Sequence, residues 1–338
     1  LVNKVSVIFN IHESEGGYVR YRLPLLTTIS VFVLMIVGTL VVGLNAGMAC
    51  PDWPLCNGHI IPPLQGLVLI EYTHRVMSMV AGFLVIVNAI VQWRKWRGHR
   101  GLQWLSLLTV PLLGGVALLG GFNVLKQLPS GFTAIDLTLS MLLISILVIL
   151  TAASGRIQRI TKDENNQQKT SYQMQKQLYS SSLGTTVAIF IQIVLGGFIR
   201  HSDAGTTYFG KNPVWGTPLV NSLTVAEWLI GIHMFITFLI TISVMWLVFM
   251  AVQKKWLKGT AITLLMLLLF EALFGLITLS TELAFSVVSV HLGLGTLMLM
   301  ISVFMASRAR LGTSYIILEN KEKPLQNKSG TEDGEVYE

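Results

Sequence analysis

The sequence predicts an all-α integral membrane protein, eight transmembrane helices arranged as two parallel-related four-helix bundles. Two observations set the class. Of the residues, 52% are hydrophobic and only 12% charged, against about 25% charged in a soluble domain. The apolar residues also gather into eight stretches, near 25–47, 67–93, 103–123, 132–152, 178–199, 225–252, 259–279 and 284–306, each near the roughly 20 residues that a spanning helix needs. A third observation, the placement of Lys and Arg, sets the orientation.

The amino-terminal segment and the gaps after the second, fourth, sixth and eighth stretches hold 20 of the 24 basic residues. By the positive-inside rule both termini are cytoplasmic. The chain therefore divides into a cytoplasmic amino-terminal segment (1–24), an amino-terminal four-helix half (25–152), a cytoplasmic linker (153–177), a carboxy-terminal four-helix half (178–306) and a cytoplasmic tail (307–338). The net charge of +7 is mostly topology. A nucleic-acid footprint would gather it into one patch or stripe, so nucleic acid is not an expected partner. The first 24 residues are polar and carry both signs of charge, so no cleavable signal peptide is expected and the first span serves as its own signal.

After span 1, "ACPDWPLCNGHIIPP" carries the only two cysteines, Cys50 and Cys56. It falls on the extracytoplasmic, oxidising side, which favours a disulfide there. Five intervening residues close too small a loop to constrain much chain entropy, so a redox role and a structural one are both open. Trp53 is read as an interfacial anchor and His59 as a solvated loop residue.

Span 2 contains "EYTHR". On a helix turning 100° per residue, Glu71, His74 and Arg75 lie at about 0°, 300° and 40°, one stripe that must face protein or cofactor and not lipid. A Glu71–Arg75 ion pair at i, i+4 would ease burial. Functionally, His74 can hold iron, Arg75 can pair with a carboxylate, and Glu71 can exchange protons at a reacting atom.

The two halves resemble each other weakly. "GTLVVGLNAG" at 38–47 aligns with "GGFIRHSDAG" at 196–205, His74 with His233, and "ALLG" at 117–120 with "ALFG" at 272–275. His233 lies about 12 Å into span 6 from its outer end and His291 about as deep in span 8, at 1.5 Å per residue. Two imidazoles at one level on equivalent helices of one bundle can face each other, and a heme held by His233 and His291 is the expected product. In span 4 the position matching His291 is Asp136. Glu271 in span 7 is read as a packing residue or a hydrogen-bond partner of the second-half cofactor. The tail from about Leu311 is polar and expected to be disordered.

"CPDWPLCNG", "EYTHR", eight spans in two halves and the His233, His291 pair together resemble the heme A synthase family, over about residues 25 to 306. The resemblance implies a cell-membrane enzyme that oxidises the C8 methyl of heme O to a formyl group. It proceeds by two hydroxylations, after which a geminal diol loses water. It implies a heme b cofactor ligated by His233 and His291 in the carboxy-terminal half. Substrate heme O would sit in the amino-terminal half on His74, with Arg75 at the cofactor, Glu71 as the catalytic carboxylate, and Cys50 with Cys56 as the loop pair. Heme O, product heme A and the lipid bilayer are the implied partners, with a heme O synthase and a second copy of the chain as candidates. Asp136 departs from the family's histidine, leaving the substrate iron five-coordinate or weakly held by carboxylate or water. Met234 departs from an HR pair at His233. The rival readings are an electron-transfer membrane cytochrome b with one bis-His heme, supported by Asp136, and a transporter whose path runs through Asp136, Glu71 and Glu271.

Overall fold

Long helices form wherever the sequence keeps apolar residues together, because in lipid every backbone polar group must find its partner within the segment. The computed structural model describes residues 16–44, 46–126, 131–155, 167–213 and 217–329. Its long helices are α1 (Gly16–Gly43), α2 (Gly66–Lys95), α3 (Arg100–Leu125), α4 (Phe132–Ser154), α5 (Gln167–His201), α6 (Leu223–Gln253), α7 (Lys258–Ser280) and α8 (Phe285–Ser329). All eight are long and apolar enough to cross a membrane. A short helix, Ala204–Tyr208, follows α5. Among the described residues there is no strand, only one isolated bridge between Cys56 and His59. The chain is a multi-pass membrane protein of the all-α class.

Several expected boundaries shift, α1 beginning at Gly16 and α5 at Gln167 ahead of the expected 25 and 178. Span 1 ends at Gly43 instead of residue 47, and Ala46–Met48 is a 3-10 turn whose Ala46 and Gly47 are buried as the chain folds back. Helix α8 continues to Ser329, beyond Leu311 where disorder was expected. That run holds the helix formers Leu318, Glu319, Lys321, Glu322 and Lys323, with Glu319 and Lys323 at a supporting i, i+4 spacing. Residues 1–15 of the amino-terminal segment, 156–166 of the linker and 330–338 of the tail lie outside the described residues.

The apolar interior falls into two main clusters. One joins Met141 and Val148 of α4 to Ile189 of α5, Leu247 of α6, Leu264 of α7 and Leu299 of α8. The other joins Val31 of α1 and Val85 of α2 to Leu143, Ile144 and Leu147 of α4. Outward-facing side chains are also apolar, Leu118, Phe83 and Trp228 being 70%, 67% and 67% exposed, as expected of a surface solvated by lipid tails. Lipid supplies no hydrophobic drive for helix association, so close approach at small residues and interhelical hydrogen bonds do that work. Thr28 of α1 meets Thr151 of α4 at 3.0 Å. On α2, Gln92 accepts from Trp96 at 2.9 Å and from Ser154 of α4 at 3.3 Å.

Glycines set the tightest crossings. A Cβ on Gly43 would fall 1.7 Å from the Phe285 ring, where α1 ends against the start of α8, and one on Gly197 would fall 2.4 Å from Leu137. Gly43→Ala is expected to force the Phe285 ring out of place, at about 1–3 kcal/mol for an overpacked contact. Its denaturation midpoint in detergent should fall, and Phe285→Ala in the same chain should recover most of the loss. No recovery would mean that the crossing does not depend on this contact.

Candidate functional site

The loop between α1 and α2 is built around its cysteines. Cys50 and Cys56 are joined by a disulfide with Cα atoms 4.6 Å apart, and both are buried. The chain reverses at Asn57 and Gly58, with φ of 52° and 75°. The flanking Cys56 and His59 exchange both backbone hydrogen bonds, at 3.1 and 3.0 Å. Two left-handed residues between such a pair make a type I′ turn, for which Asn-Gly is the favoured dipeptide. The Asp52 carboxylate accepts from the backbone N–H of Asn57 at 2.6 Å and of Gly58 at 2.8 Å. The Gly58 N–H, seconded by that of Asn57, holds the Asp52 carboxyl below its ordinary range. His59 is exposed, as expected. The Trp53 ring rests on α3, where a Cβ on Gly121 would lie 2.9 Å from it, and is 43% exposed. It sits at the rim and is not enclosed.

Arg75 fastens this loop to α2. Its Nε donates to Glu71 Oε1 at 2.7 Å, one Nη to the carbonyls of Asp52, at 2.7 Å, and Leu55, and the other to the Cys50 carbonyl at 2.7 Å. Four of the five guanidinium donors are thereby committed to the protein. The side chains of Arg75 and Glu71 are 12% and 5% exposed. The ion pair expected from the i, i+4 spacing is present, yet Glu71 Oε2 is buried without a partner. That oxygen remains available for proton exchange.

Each of the three histidines lies against a glycine of a neighbouring helix. A Cβ on Gly38 of α1 would lie 3.3 Å from the His74 ring on α2, one on Gly196 of α5 would lie 3.0 Å from His233 on α6, and one on Gly275 of α7 would lie 3.3 Å from His291 on α8. The Nδ1 atoms of His74, His233 and His291 are all buried without a hydrogen bond, although Glu271 Oε1 lies 3.3 Å from that of His291. Gln192 of α5 donates to the His233 carbonyl at 2.8 Å and to Thr237 at 2.6 Å, tying α5 to α6 at this level. Asp136 is partly buried on α4 with Oδ1 unpartnered. A Cβ on Gly120, the counterpart of Gly275 by the internal alignment, would meet nothing within 4 Å.

Cys50, Cys56, Glu71 and Arg75 thus form one group, with His74 one turn from Glu71 along α2, while His233 and His291 stand on α6 and α8, each against a neighbour's glycine. No described contact joins that group to His233 or His291. Neutral imidazole nitrogens suit heme iron, and a pair suffices for it. Among the described residues no group of three or more metal-ligating side chains gathers. Sequence reasoning missed Gln192, visible as an amide in "AIFIQIVLG", and the glycine notches, although Gly38, Gly196 and Gly275 stood inside the aligned segments.

Because the folded pKa of Asp52 is depressed, its share of loop stability is present above the unfolded value near about 3.9 and is lost as pH falls through the lower folded value. Reduction of the disulfide by a phosphine should be faster in Asp52→Ala than in wild type at about pH 7, the two rates converging as pH falls through the lowered folded value. A constant ratio would remove Asp52 from loop stability. Arg75→Ala should open the loop further, since it also strands a buried carboxylate, a loss of about 3–5 kcal/mol. The same assay reads it, and a rate no faster than that of Asp52→Ala would count against the clamp.

Residues 21–303 match the family described as Cytochrome oxidase assembly protein (COX15-CtaA). Among curated proteins, the heme A synthase of Bacillus licheniformis is 28% identical over 183 residues, 54% of this chain and 59% of that protein. That of Bacillus mycoides is 28% identical over 184 residues, 54% and 57%, and one from Bacillus cereus is 27% identical with the same coverage. The matched part of the chain spans a little over half the length of these relatives. The family match runs much further, taking in every site residue above and nearly all of the eight spans. On that coverage the chain belongs to the cytochrome oxidase assembly protein family COX15-CtaA.

Proposed function

We propose that this chain is a heme A synthase, the activity its relatives are named for, converting the C8 methyl of heme O to a formyl group within the membrane. The observation that carries the reading is Glu71, buried, with one carboxylate oxygen unpaired, and one turn from His74 beneath a clamped disulfide loop. His74 is the residue for the substrate iron, and Glu71 the group that exchanges protons at the reacting carbon. Arg75 acts through Glu71 and the loop, holding the carboxylate and the loop carbonyls in place instead of meeting a cofactor carboxylate. Each of two hydroxylations takes two electrons from the carbon, which pass to an electron acceptor outside this chain, and loss of water from the geminal diol changes no oxidation level.

His233 and His291 are the residues to hold a heme b. Their imidazoles face glycine notches and are partly accessible, and neutral imidazole nitrogens are a donor set that would suit a heme iron. Heme b, when bound, supplies one-electron relay chemistry. The placement of Lys and Arg supports cytoplasmic termini and an extracytoplasmic cysteine loop in the cell membrane. Heme O is apolar, so substrate and product travel through lipid, and a heme O synthase is the partner that supplies it.

Asp136 favours a second reading, a one-heme electron-transfer cytochrome with its substrate site lost. Co-expression with a heme O synthase, followed by acid extraction and chromatography of hemes B, O and A, separates the two. Heme A is expected with the intact chain and should fall about a hundredfold or more in Glu71→Gln, the scale of lost acid-base catalysis. Heme B alone, with heme O unconverted, would select the cytochrome.

A further inference from the structure

A histidine that binds iron through Nε2 keeps Nδ1–H free, and the partner of that N–H sets the ring's orientation and basicity. Of the three membrane-embedded imidazoles described above, only that of His291 has a carboxylate beside its Nδ1. Glu271 Oε1 lies 3.3 Å from it, with the side chains 16% and 25% exposed. The distance is long and the alignment short of a good hydrogen bond. Helix α7 delivers both parts of this arrangement from one face, four residues apart: Gly275 makes room for the ring and Glu271 reaches Nδ1. Helix α8 makes room for the carboxylate in turn, because a Cβ on Gly295 would lie 2.8 Å from Glu271 Oε1.

The internal alignment supports treating these residues as a unit. At the offset of 155 that pairs Gly275 with Gly120 and His291 with Asp136, the counterpart of Glu271 is Val116. Where the histidine is absent, so is its carboxylate.

We propose that Glu271 accepts the Nδ1–H of His291 and is its positioning residue, orienting the ring and making His291 a different donor from His233 toward the heme b the two would hold. This rests on the heme b reading above. A carboxylate acceptor pushes electron density onto the ligating nitrogen, which favours the ferric state. The opposite ligand, His233, whose Nδ1 has no such partner, contributes no such push.

The test uses the full-length chain purified in detergent, with heme b content measured by pyridine hemochrome, its reduction potential by redox titration, and its low-spin ferric signal by EPR. Glu271→Gln should keep heme b bound while shifting the equilibrium at least tenfold toward the reduced form, about 59 mV for one electron, and should move the EPR g values. Gly295→Ala keeps the charge and displaces only the tip of the carboxylate. It should shift both readouts in the same direction, and it carries the test alone if Glu271→Gln does not insert. Unchanged potential and g values in both variants, with heme b bound, would overturn the Glu271 assignment and leave the heme reading standing. A shift in Glu271→Gln with none in Gly295→Ala would reduce Glu271 to a nearby charge and overturn the positioning role. A wild-type chain with no low-spin heme b would overturn the heme reading itself.

Discussion

A guanidinium in a membrane span has to be fully employed by the protein, since lipid offers it no partner. In this chain Arg75 meets that demand by donating to a carboxylate on its own helix and to three carbonyls of the preceding loop, those of Cys50, Asp52 and Leu55. The carbonyls flank and interrupt the disulfide ring, so one side chain holds the loop at several points. The disulfide, the Asn57-Gly58 turn and the Asp52 hydrogen bonds make the loop rigid, but Arg75 decides where that rigid piece sits. Because the same guanidinium also binds Glu71, loop position and carboxylate orientation are linked. Whatever lifts the loop takes three acceptors from Arg75 and so loosens the guanidinium that orients Glu71.

Close approach is the second constraint, and one device serves both packing and site. Where α1 meets α8 the absent side chain of Gly43 admits the Phe285 ring, and where α1 meets α2 that of Gly38 admits His74. In a soluble core such pockets would be filled by aliphatic side chains. Here they let an imidazole lie against a neighbouring backbone, which limits its rotamers without giving its ring nitrogens a protein partner. Gln192 adds to this on α5, bonding the His233 carbonyl and leaving the ring alone.

The local features of this arrangement were legible in the sequence. The eight spans follow from apolar run length, and the Glu71–Arg75 pair follows from i, i+4 spacing on one helix. The cysteine pair and the three histidines stand out because polar residues are scarce in such runs. What stayed hidden depends on tertiary distance. The Arg75 contacts reach 20 to 25 residues back along the chain, and no periodicity signals a side chain meeting loop carbonyls. Glu271 and His291 come together only because α7 and α8 fold against each other with complementary glycines. The Asn57-Gly58 turn is different, because Asn-Gly is a local signal for a type I′ turn that the sequence itself carries. The run after Leu311 was judged on polarity, although its residues are good helix formers.

Helix α4 contributes to both large apolar clusters, Met141 and Val148 to one and Leu143, Ile144 and Leu147 to the other. It works as a party wall. A chain cut between α4 and α5 would yield an amino-terminal piece with one finished face of α4 and one raw face, and a carboxy-terminal piece missing a wall of its own core. The pieces would need each other to fold, however different the chemistry on each side. Changes to α4 made for the sake of Asp136 would therefore be felt by the core on which His233 and His291 are mounted.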